Sequence, residues 1–325
     1  MLKIFTSNVM AAKKIITVFG ATGAQGGGLA HAILNDPNSE FSVRAITRDA
    51  KSDKAKELAR LGAEVVTADI DDKDSMQRAL AGAYGAYFVT FFWAHFSAEK
   101  ETAEAKNMAA AAKEAGIKHA VWSTLEDVRT FVPLDNDSMP TLQGKYKVPH
   151  FDGKGEGDHF FAEAGVPVTY LMASFYWDNM IYFGMGPKKG PDGKYYFTLP
   201  MADKKMAGIA AEDIGKCAYG IFKKGSDYIG TTVGIAGDQL TGDEMAIRLS
   251  AALDKDVVYN CVTPAQYRAF GFPGADDLGN MFQFYTEFEA HCNKTRDIAL
   301  SKALNPGLLS FEAWLNKYAG SIPLD

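Results

Sequence analysis

Three glycines near the start of the chain have the spacing of a phosphate-binding turn. The β-branched and aromatic run from Ile15 to Phe19 leads directly into Gly20-x-x-Gly23-x-x-Gly26, and a helix-compatible segment follows. Gly20 permits the turn that ends a strand, Gly23 leaves room for a pyrophosphate, and Gly26 lets the helix lie close to the strand. The free N–H groups of that helix then face the anion. The pattern predicts a dinucleotide site, and the missing Gly-Lys-Ser/Thr excludes a Walker loop.

The end of the second predicted strand bears on the choice between NAD and NADP. An acidic side chain there accepts hydrogen bonds from the adenosine ribose, whereas arginine pairs with a 2′-phosphate. Arg48 occupies this position, and Lys51 and Lys54 follow it. Asp49 is counter-evidence unless it caps the next helix, and the alternative for Arg48 is a solvated surface charge. The arrangement favours NADP(H).

Residues at the ends of the third and fourth predicted strands are candidates for the two halves of the dinucleotide. Asp69 ends the third strand, where it can contact an adenine amino group or serve only as a helix-entry residue. Thr90 and Phe91, followed by Phe92 and Trp93, end the fourth strand on the nicotinamide side. The alternative for this aromatic group is the roof of the core.

The fifth strand and the next helix carry the residues closest to a catalytic set. Ser123 ends the strand, at the position from which the serine of short-chain dehydrogenases orients a substrate carbonyl. Their Tyr-x-x-x-Lys supplies a proton from a phenol beside a lysine ammonium. Here the pattern is His150-x-x-x-Lys154, so Lys154 can hold ribose hydroxyls while His150 is either a proton donor or a structural hydrogen-bonding residue. Tyr146 lies four residues earlier, but Pro149 interrupts a helix through both.

Alternating strand-like and helix-like segments must position these residues. Strands are predicted at 15–19, 42–47, 64–67, 85–90, 118–123 and 167–172, with helices at 26–35, 52–61, 73–82, 98–115 and 152–164. The alternation predicts an α/β fold, with a doubly wound parallel Rossmann sheet in an NADP-binding domain over residues 12–165. A smaller α/β C-terminal domain over 166–325 is expected to complete the sheet partly and to form the cleft. Residues 130–149 break the rhythm and predict a long loop of the kind that forms lids or mobile elements.

The second half is patterned differently. Pro191-Asp192-Gly193 predicts a hairpin turn, and Thr241-x-x-Glu244 has the form of a capping box that opens a helix running to about Leu253. Thr263-Pro264 predicts the start of another helix. Aromatic residues recur over 271–289, where they either form core or line a cleft for an apolar ligand.

Composition excludes several classes of function. The 325 residues are 47% hydrophobic, enough for a large core, and the net charge of −6 opposes direct binding to nucleic acid or to an anionic membrane surface. Three scattered cysteines (Cys217, Cys261 and Cys292) fit a reducing compartment, as small buried residues or as redox-active thiols, and no metal site is predicted. Residues 1–11 resemble neither a membrane helix nor a transit peptide and are interpreted as a ragged tail. We therefore expect a cytoplasmic protein, or one that is also nuclear, without a membrane segment.

These residues resemble those of the NmrA-like family of atypical short-chain dehydrogenases, and most closely its HSCARG type. The matching stretches are VFGATGAQGG, the Arg48 strand end, Ala68-Asp69 with Asp71-Asp72, HFDGKGE from His150, PDGKYY from Pro191, GFPGADDL from Gly271, and Asn305-Pro306. The resemblance runs from about Lys14 to the last helix.

The resemblance implies a Rossmann domain and a smaller C-terminal domain with NADP(H) in the cleft between them, and in several members a regulatory role that senses the redox ratio of the cofactor. It assigns pyrophosphate contacts to the glycine loop, the 2′-phosphate to Arg48, the nicotinamide ribose to Lys154, and closure over the nicotinamide to the segment Phe175-Tyr176-x-x-Asn179. The implied loop contacts are Gly20, Thr22, Gly23, Gln25 and Gly26, and the closing residues are Tyr176 and Asn179. The sequence departs from the family pattern in two places: the long 130–149 loop, and Phe91-Phe92 in place of the more usual Asn-Tyr. Both departures are compatible with an acquired substrate pocket.

Two functions fit these expectations. The first is an NADP(H)-binding redox sensor that acts through a regulatory protein partner, as a monomer or homodimer. The second is an NADPH-dependent reductase of a small apolar carbonyl, quinone or imine-like substrate, for which the missing tyrosine is a weakness. A nicotinamide site plugged by aromatic side chains favours the sensor, and an open cleft favours the enzyme. A purely structural scaffold would leave the ordered dinucleotide-contacting residues unexplained.

Overall fold

The computed structural model describes residues 12–324, so the N-terminal tail predicted over residues 1–11 lies outside the described residues. The first half alternates strands and helices within a few residues of the predicted bounds. In chain order it contains β1 (Lys14–Val18), α1 (Ala24–Leu34), β2 (Phe41–Thr47), α2 (Asp53–Arg60), β3 (Glu64–Thr67), α3 (Lys73–Leu80), β4 (Gly85–Phe88), α4 (Ala98–Glu114), β5 (His119–Thr124), α5 (Pro149–Glu163) and β6 (Val168–Met172).

The second half has shorter strands and more helices. It contains β7 (Phe175–Tyr176), α6 (Asn179–Tyr182), β8 (Lys188–Lys189), β9 (Tyr195–Leu199), β10 (Met206–Ile209), α7 (Ala211–Lys224), β11 (Thr232–Gly234), β12 (Asp238–Leu240), α8 (Gly242–Leu253), β13 (Val257–Cys261), α9 (Pro264–Arg268), α10 (Ala275–Glu287), α11 (Glu289–Thr295), α12 (Ile298–Leu304) and α13 (Phe311–Tyr318). None of the helices within residues 12–324 is both long and apolar enough to cross a membrane.

A seven-stranded parallel sheet organises the molecule, in the order β11-β6-β5-β4-β1-β2-β3. The predicted doubly wound Rossmann-like α/β fold is confirmed. Strand order reverses beside β1, because β2 and β3 extend the sheet on one side of it and β4 to β6 on the other. Loops that leave β1 and β4 therefore diverge and open a crevice at the carboxyl ends of these strands, the usual ligand position in such sheets.

Helices cover both faces of the sheet, and the hydrophobic pattern decides which helix lies on which face. On one face, Leu29 of α1 and Ile214 of α7 pack with Ile16 and Val18 of β1. On the other face, helices α3, α4 and α5 cover Phe88 and Trp122. Burying both faces is what the near-continuous apolar strands require.

The second half adds two three-stranded sheets, ordered β12-β10-β7 and β13-β9-β8. The predicted hairpin is the antiparallel pair β8 and β9, turning through Gly193 at φ +85°. Helix α8 begins with the predicted capping box at Thr241, and α9 begins after Thr263 as predicted, with a second capping box that Thr263 forms with Gln266. Most aromatic side chains of α10 are buried in a core that the two small sheets share, whereas Phe272 before the helix is 39% exposed. Strands β6 and β11 of this half complete the large sheet. The division into two domains at residue 165 therefore remains a prediction.

The predicted long loop is observed between β5 and α5, and it is tightly held. The buried ammonium of Lys147 donates to the carbonyls of Leu134, Asn136 and Met139 over 2.7–3.3 Å. From α10, the side chain of Asn280 donates to two further carbonyls on this segment. These bonds make the loop part of the packed structure between α5 and α10.

Candidate dinucleotide site

The glycine loop turns sharply at the carboxyl end of β1. Gly20 adopts φ +64°, a conformation that favours glycine, and its carbonyl accepts the N–H of Gly23 at 2.8 Å. A Cβ added to Gly26 would lie 2.4 Å from the Gly20 oxygen and 2.7 Å from the Phe19 oxygen. The predicted close approach of helix and strand is therefore a steric requirement at Gly26.

The N-terminus of α1 presents unpaired donors to the crevice. Gly23 is the N-cap residue and supplies no side-chain cap. The first N–H to bond back into the helix is that of Gly27, to the Gly23 oxygen at 3.0 Å, so the three preceding amides have no backbone acceptor within the described chain. Thr22 lies partly exposed beside them. This arrangement can bind a phosphate through backbone N–H groups and the helix dipole.

Gln25 points its side chain away from these amides. Its Oε1 accepts from the hydroxyls of Tyr87 and of Ser123, the latter at 2.8 Å, and its Nε2 donates to the Tyr176 hydroxyl. Burial raises the pKa of both phenols, so they remain protonated and act as hydrogen-bonding groups. Only the backbone amide of Gln25 is left for a pyrophosphate. The side chain instead joins α1 to β4, β5 and β7.

The adenosine side of the crevice carries exposed cations. Arg48 and Lys51 follow β2 with exposed side chains, unlike the buried Arg44, which bonds to Glu64 at 2.8 Å. The alternative that Asp49 caps α2 is wrong. Ser52 is the N-cap residue, and its side chain accepts the N–H of Ala55. The Asp49 carboxylate accepts the Lys51 N–H at 2.8 Å and thus shapes only the turn.

Asp69 lies exposed at the end of β3. Its Oδ1 accepts the Asp71 N–H at 3.0 Å, and its own N–H donates to Ser75 at 2.8 Å. The N-cap of α3 is Asp72. Asp69 therefore orders the strand-to-helix turn through Oδ1. Its second carboxylate oxygen takes no part in holding this turn.

Lys154 lies at the nicotinamide end, and three protein oxygens lie within 3.4 Å of its ammonium nitrogen. Its Nζ is 2.6 Å from Thr90 Oγ1, 3.4 Å from the Thr90 carbonyl, and 2.7 Å from Oε1 of Glu101. Lys154 is 8% exposed and Glu101 is 0% exposed. The glycines around Lys154 permit this approach, since a Cβ on Gly153 would lie 3.1 Å from the Ala98 carbonyl of α4.

His150 is held by the second half of the chain. Its backbone N–H donates to Asp277 Oδ2 at 3.0 Å, and its ring Nδ1 bonds to Asp277 Oδ1. The ring lies against Trp93, with centroids 4.9 Å apart, and against Phe92 at 5.8 Å. Since Asp277 fixes the Nδ1–H tautomer, Nε2 is the atom that can exchange a proton, and it has no partner among the described residues. As predicted, Tyr146 lies outside α5, but the helix begins at Pro149, three residues before the predicted start at 152.

The remaining predicted nicotinamide contacts lie around the same crevice. Thr90 is buried, and it donates to Glu101 at 2.5 Å while it accepts from Lys154. Phe91 is 55% exposed. Asn179 starts α6 with its side chain half-buried, close in sequence to the Tyr176 that bonds Gln25. The rings of Phe92 and Trp93 stack edge to face at 5.2 Å and fill the wall beside His150.

One group of ligand-type side chains within the described residues has metal-like spacing. His95, Glu101 and Glu104 each place one donor atom within 4.8 Å of the others. However, the Ser97 N–H donates to His95 Nδ1 at 3.1 Å, so the neutral ring carries its proton on Nε2, the atom that faces the carboxylates. A protonated ring nitrogen cannot ligate a metal. The cluster is therefore better described as the His95 N–H placed between the carboxylates of Glu101 and Glu104.

A cavity of about 710 Å³ lies on the outer side of the glycine loop. It runs between α1, α2, α7 and Asn305-Pro306, and it reaches Thr22, Gly23 and Lys54. Lys154 and His150 do not line it. It is therefore separate from the crevice at the nicotinamide end.

Comparison with known proteins identifies the family. The sequence matches the NmrA-like family over residues 12–315. The chain belongs to the NmrA-like family. Among curated relatives, an NmrA-like family domain-containing protein of Dictyostelium discoideum is 27% identical and covers 94% of this chain and 97% of its own length. The NmrA-like family domain-containing oxidoreductase FrzB of Cladobotryum sp is 30% identical, with 83% of each chain covered.

Solved structures of NmrA-like and related proteins share the fold. NmrA, a negative transcriptional regulator crystallised with NADP, superposes with a TM-score of 0.75 at 21% identity over 95% of this chain and 96% of its own. The triphenylmethane reductase of Citrobacter sp., complexed with NADP(H), gives 0.72 at 19% identity over 94% and 99%. NmrA has also been crystallised with NAD. These likenesses support the Rossmann-like architecture of this NmrA-like chain.

Sequence reasoning missed Glu101 and Asp277 in this NmrA-like site. Glu101 has a signal in the sequence, because it falls in the apolar stripe of α4 with Ala98, Ala105 and Met108, a position where an acid requires a partner. Asp277 belongs to the GFPGADDL stretch, but its partner lies 127 residues away along the chain. Only the fold brings that pair together.

Proposed function

We propose that this NmrA-like protein binds NADP(H) in the crevice between β1 and β4 and acts as a redox-responsive regulator through a protein partner. The unpaired amides of α1 fit a pyrophosphate, and the exposed Arg48 and Lys51 fit a 2′-phosphate. Lys154 fits the nicotinamide ribose. When bound, the cofactor would supply hydride chemistry. The described residues determine whether a proton donor accompanies it.

The observation that carries the regulatory proposal is the state of His150. It stands where a tyrosine would donate the proton, and its backbone N–H and Nδ1 are both committed to Asp277 of α10. The aromatic rings of Phe92 and Trp93 pack against its imidazole. His150 thus connects the helix that carries Lys154 to the second half of the chain.

This connection gives a physical route from cofactor to surface. Lys154 and His150 lie four residues apart on α5, one helical turn, so a ligand at Lys154 contacts the same helix that bonds to Asp277. Helix α10 packs against the 130–149 loop through Asn280. A protein partner that contacts α10 or this loop could therefore distinguish bound from free protein. Among relatives of this fold, NmrA is described as a negative transcriptional regulator.

A binding and turnover comparison tests this proposal. Isothermal titration calorimetry should give tighter binding for NADPH than for NADH, and the heat-capacity change or protease sensitivity of the 130–149 loop should differ between cofactor-bound and free protein. NADPH absorbance should stay constant with quinones, aldehydes and imines. Steady consumption of NADPH with any of these substrates would contradict the sensor assignment.

A second candidate is an NADPH-dependent reductase of an apolar carbonyl, quinone or imine-like substrate. The observation in its favour is the free Nε2 of His150, because a carboxylate at Nδ1 is the usual way to orient a histidine for proton transfer. Curated relatives are described as oxidoreductases, and triphenylmethane reductase shares the fold. A rate that disappears in His150→Ala while NADPH affinity is retained would establish this candidate over the first.

A further inference from the structure

Three protein oxygens surround the ammonium of Lys154 within hydrogen-bond distance. Glu101 Oε1 and the two oxygens of Thr90 occupy its three donor positions, at 2.7, 2.6 and 3.4 Å. A ribose hydroxyl can accept a hydrogen bond from Lys154 only if the ammonium turns away from one of these oxygens. Binding at Lys154 therefore changes the electrostatic environment of Glu101, which is completely buried.

The opposite side of the Glu101 carboxylate is unsatisfied. Its Oε2 is buried without a hydrogen-bond partner, and so is Nε2 of His95, 3.7 Å away. Glu104 Oε2 lies 3.8 Å from the same histidine nitrogen, and its side chain is only 12% exposed. Two carboxylates thus face one N–H group in a confined space, with Lys154 as the ammonium closest to Glu101.

Burial of Glu104 favours its protonation near neutral pH. Burial raises the pKa of Glu104 to about 7, with a further contribution from the negative charge of Glu101. Lys100, Lys154 and Asp71 also act on it, the two ammonium groups opposing the shift and the Asp71 carboxylate adding to it. Burial lowers the pKa of His95, so this ring stays neutral and cannot compensate the carboxylates.

We propose that Glu101 and Glu104 together form the counter-charge of Lys154, and that dinucleotide binding at Lys154 is accompanied by uptake of one proton from solvent by this carboxylate pair. As Lys154 turns toward the ribose, the negative charge of Glu101 is less compensated, and the neighbouring Glu104 accepts the proton as a neutral acid. The proposal rests on the proposed function of Lys154. Glu101 and Glu104 act here as positioning residues, since neither has to touch the cofactor.

Linkage fixes the sign of the effect. A ligand that binds together with a proton binds more tightly at low pH, and its affinity falls as the pH rises from the pKa of the free protein toward the higher pKa of the complex. Because the pKa of Glu104 in the free protein is about 7, NADPH affinity should decrease as the pH rises above 7, at most about tenfold per pH unit for one linked proton. The 2′-phosphate of NADPH also titrates near pH 6, but its titration is the same for every variant. Differences between variants therefore report the contribution of protein groups to the pH dependence.

Calorimetry of NADPH binding at pH 7 in phosphate and in Tris tests the proposal, because these buffers differ in ionisation heat and the difference counts the protons taken up. The wild type should take up a substantial fraction of a proton. Glu104→Gln, a neutral analogue of the protonated acid, should take up none and should bind NADPH at pH 8 about as tightly as the wild type does at pH 6. Glu99→Gln is the matched control: it removes the same charge from an exposed position of α4, and it should behave like the wild type.

Further outcomes separate this proposal from the function it rests on. If Lys154→Met weakens NADPH binding but the wild type takes up no proton, the coupling is wrong and the ribose contact stands. If Glu104→Gln keeps the wild-type pH dependence, the proton goes elsewhere and the coupling is again wrong. If Lys154→Met leaves the affinity unchanged, the assignment of Lys154 to the ribose fails first. Thermal unfolding of each variant verifies that it is folded.

Discussion

The carboxylate of Asp277 accepts the backbone N–H of His150 and bonds to its ring, although 127 residues separate the two along the chain. One oxygen thus satisfies an amide in the first turn of α5, and the other fixes the imidazole tautomer. Both residues are buried, at 6% and 7% exposure. The contact links the helix that carries Lys154 to the C-terminal half.

Removal of this carboxylate should destabilise the protein. Asp277→Ala leaves a buried N–H and a buried ring nitrogen without acceptors, at a cost of about 1–3 kcal/mol for each unsatisfied group. Urea unfolding should show a lower free energy of unfolding for this variant. The adjacent and exposed Asp276 provides the control, because Asp276→Ala removes the same charge from the same helix turn. Equal stabilities of the two variants would show that the His150 contact contributes nothing.

Cofactor choice should depend on Arg48. A charge-assisted contact with the 2′-phosphate contributes about 1.5–3 kcal/mol, so Arg48→Ala should weaken NADPH binding by roughly ten- to a hundredfold and leave NADH binding nearly unchanged. Calorimetry with both cofactors measures this difference. Arg60→Ala, an exposed site on α2, is the charge-matched control. Equal affinity of the wild type for NADPH and NADH would refute the assignment.

The three loop glycines should respond differently to substitution. Gly23 has φ −95°, which valine can adopt, and its Cβ would lie 3.2 Å from the Gly20 oxygen, so Gly23→Val should fold after a small adjustment but lose dinucleotide binding because its methyl groups crowd the phosphate. Gly26→Ala should destabilise the fold instead, since the new Cβ meets backbone oxygens at 2.4 and 2.7 Å. Gly27→Ala meets only an oxygen at 3.4 Å and serves as the control. Circular dichroism reports folding and calorimetry reports binding. If folded Gly23→Val still binds the dinucleotide, the assignment of the phosphate to this loop is wrong.

Local sequence patterns predicted the architecture because each element carries its own signals. The apolar run before Gly20, the capping box at Thr241 and the helix start at Thr263-Pro264 are all readable within a few residues. Partners across the sheet are not encoded locally. Gln25 has the same spacing in the loop whether its side chain faces a phosphate or, as observed, Tyr87 and Ser123.

The glycine-rich start of α5 shows why composition alone misleads. Gly153, Gly155 and Gly157 lower helix propensity, yet α5 is a continuous helix over 15 residues. Its glycines face neighbours closely, since a Cβ on Gly155 would lie 2.6 Å from the Asp127 nitrogen and one on Gly157 would lie 2.8 Å from Ala105. Tertiary packing compensates for the weak helix propensity, and these contacts cannot be deduced from the sequence without the fold.

His119 should make the stability of the protein dependent on acid. Burial lowers the pKa of His119 to about 4, and its Nε2 lies 2.9 Å from Thr169 Oγ1. The unfolded chain binds a proton at this ring near pH 6.5 but the folded chain does not, so the contribution to stability is complete above pH 6.5 and is lost as the pH falls toward 4.

His119→Gln tests this dependence, since glutamine stays neutral over the whole range. Between pH 6.5 and 4.5 the free energy of unfolding should fall more steeply for the wild type than for this variant, by up to about 1.4 kcal/mol per pH unit. His159→Gln, at an exposed position of α5, should keep the wild-type slope. Parallel curves for the wild type and His119→Gln would mean that His119 is not the group responsible.

The roles of Lys154 and His150 are separable by paired variants. Lys154→Met removes the ammonium that we assign to the nicotinamide ribose, so it should weaken NADPH binding by about 1.5–3 kcal/mol, the range for a hydrogen bond to a charged group. His150→Ala removes a ring that contacts Asp277, Phe92 and Trp93 and should lower stability while leaving NADPH affinity within a few-fold of the wild type. Under the regulatory proposal neither variant changes turnover, because the wild type shows none. A wild-type rate that His150→Ala abolishes would assign the proton to Nε2, whereas a rate that survives in His150→Ala would require a donor other than this histidine.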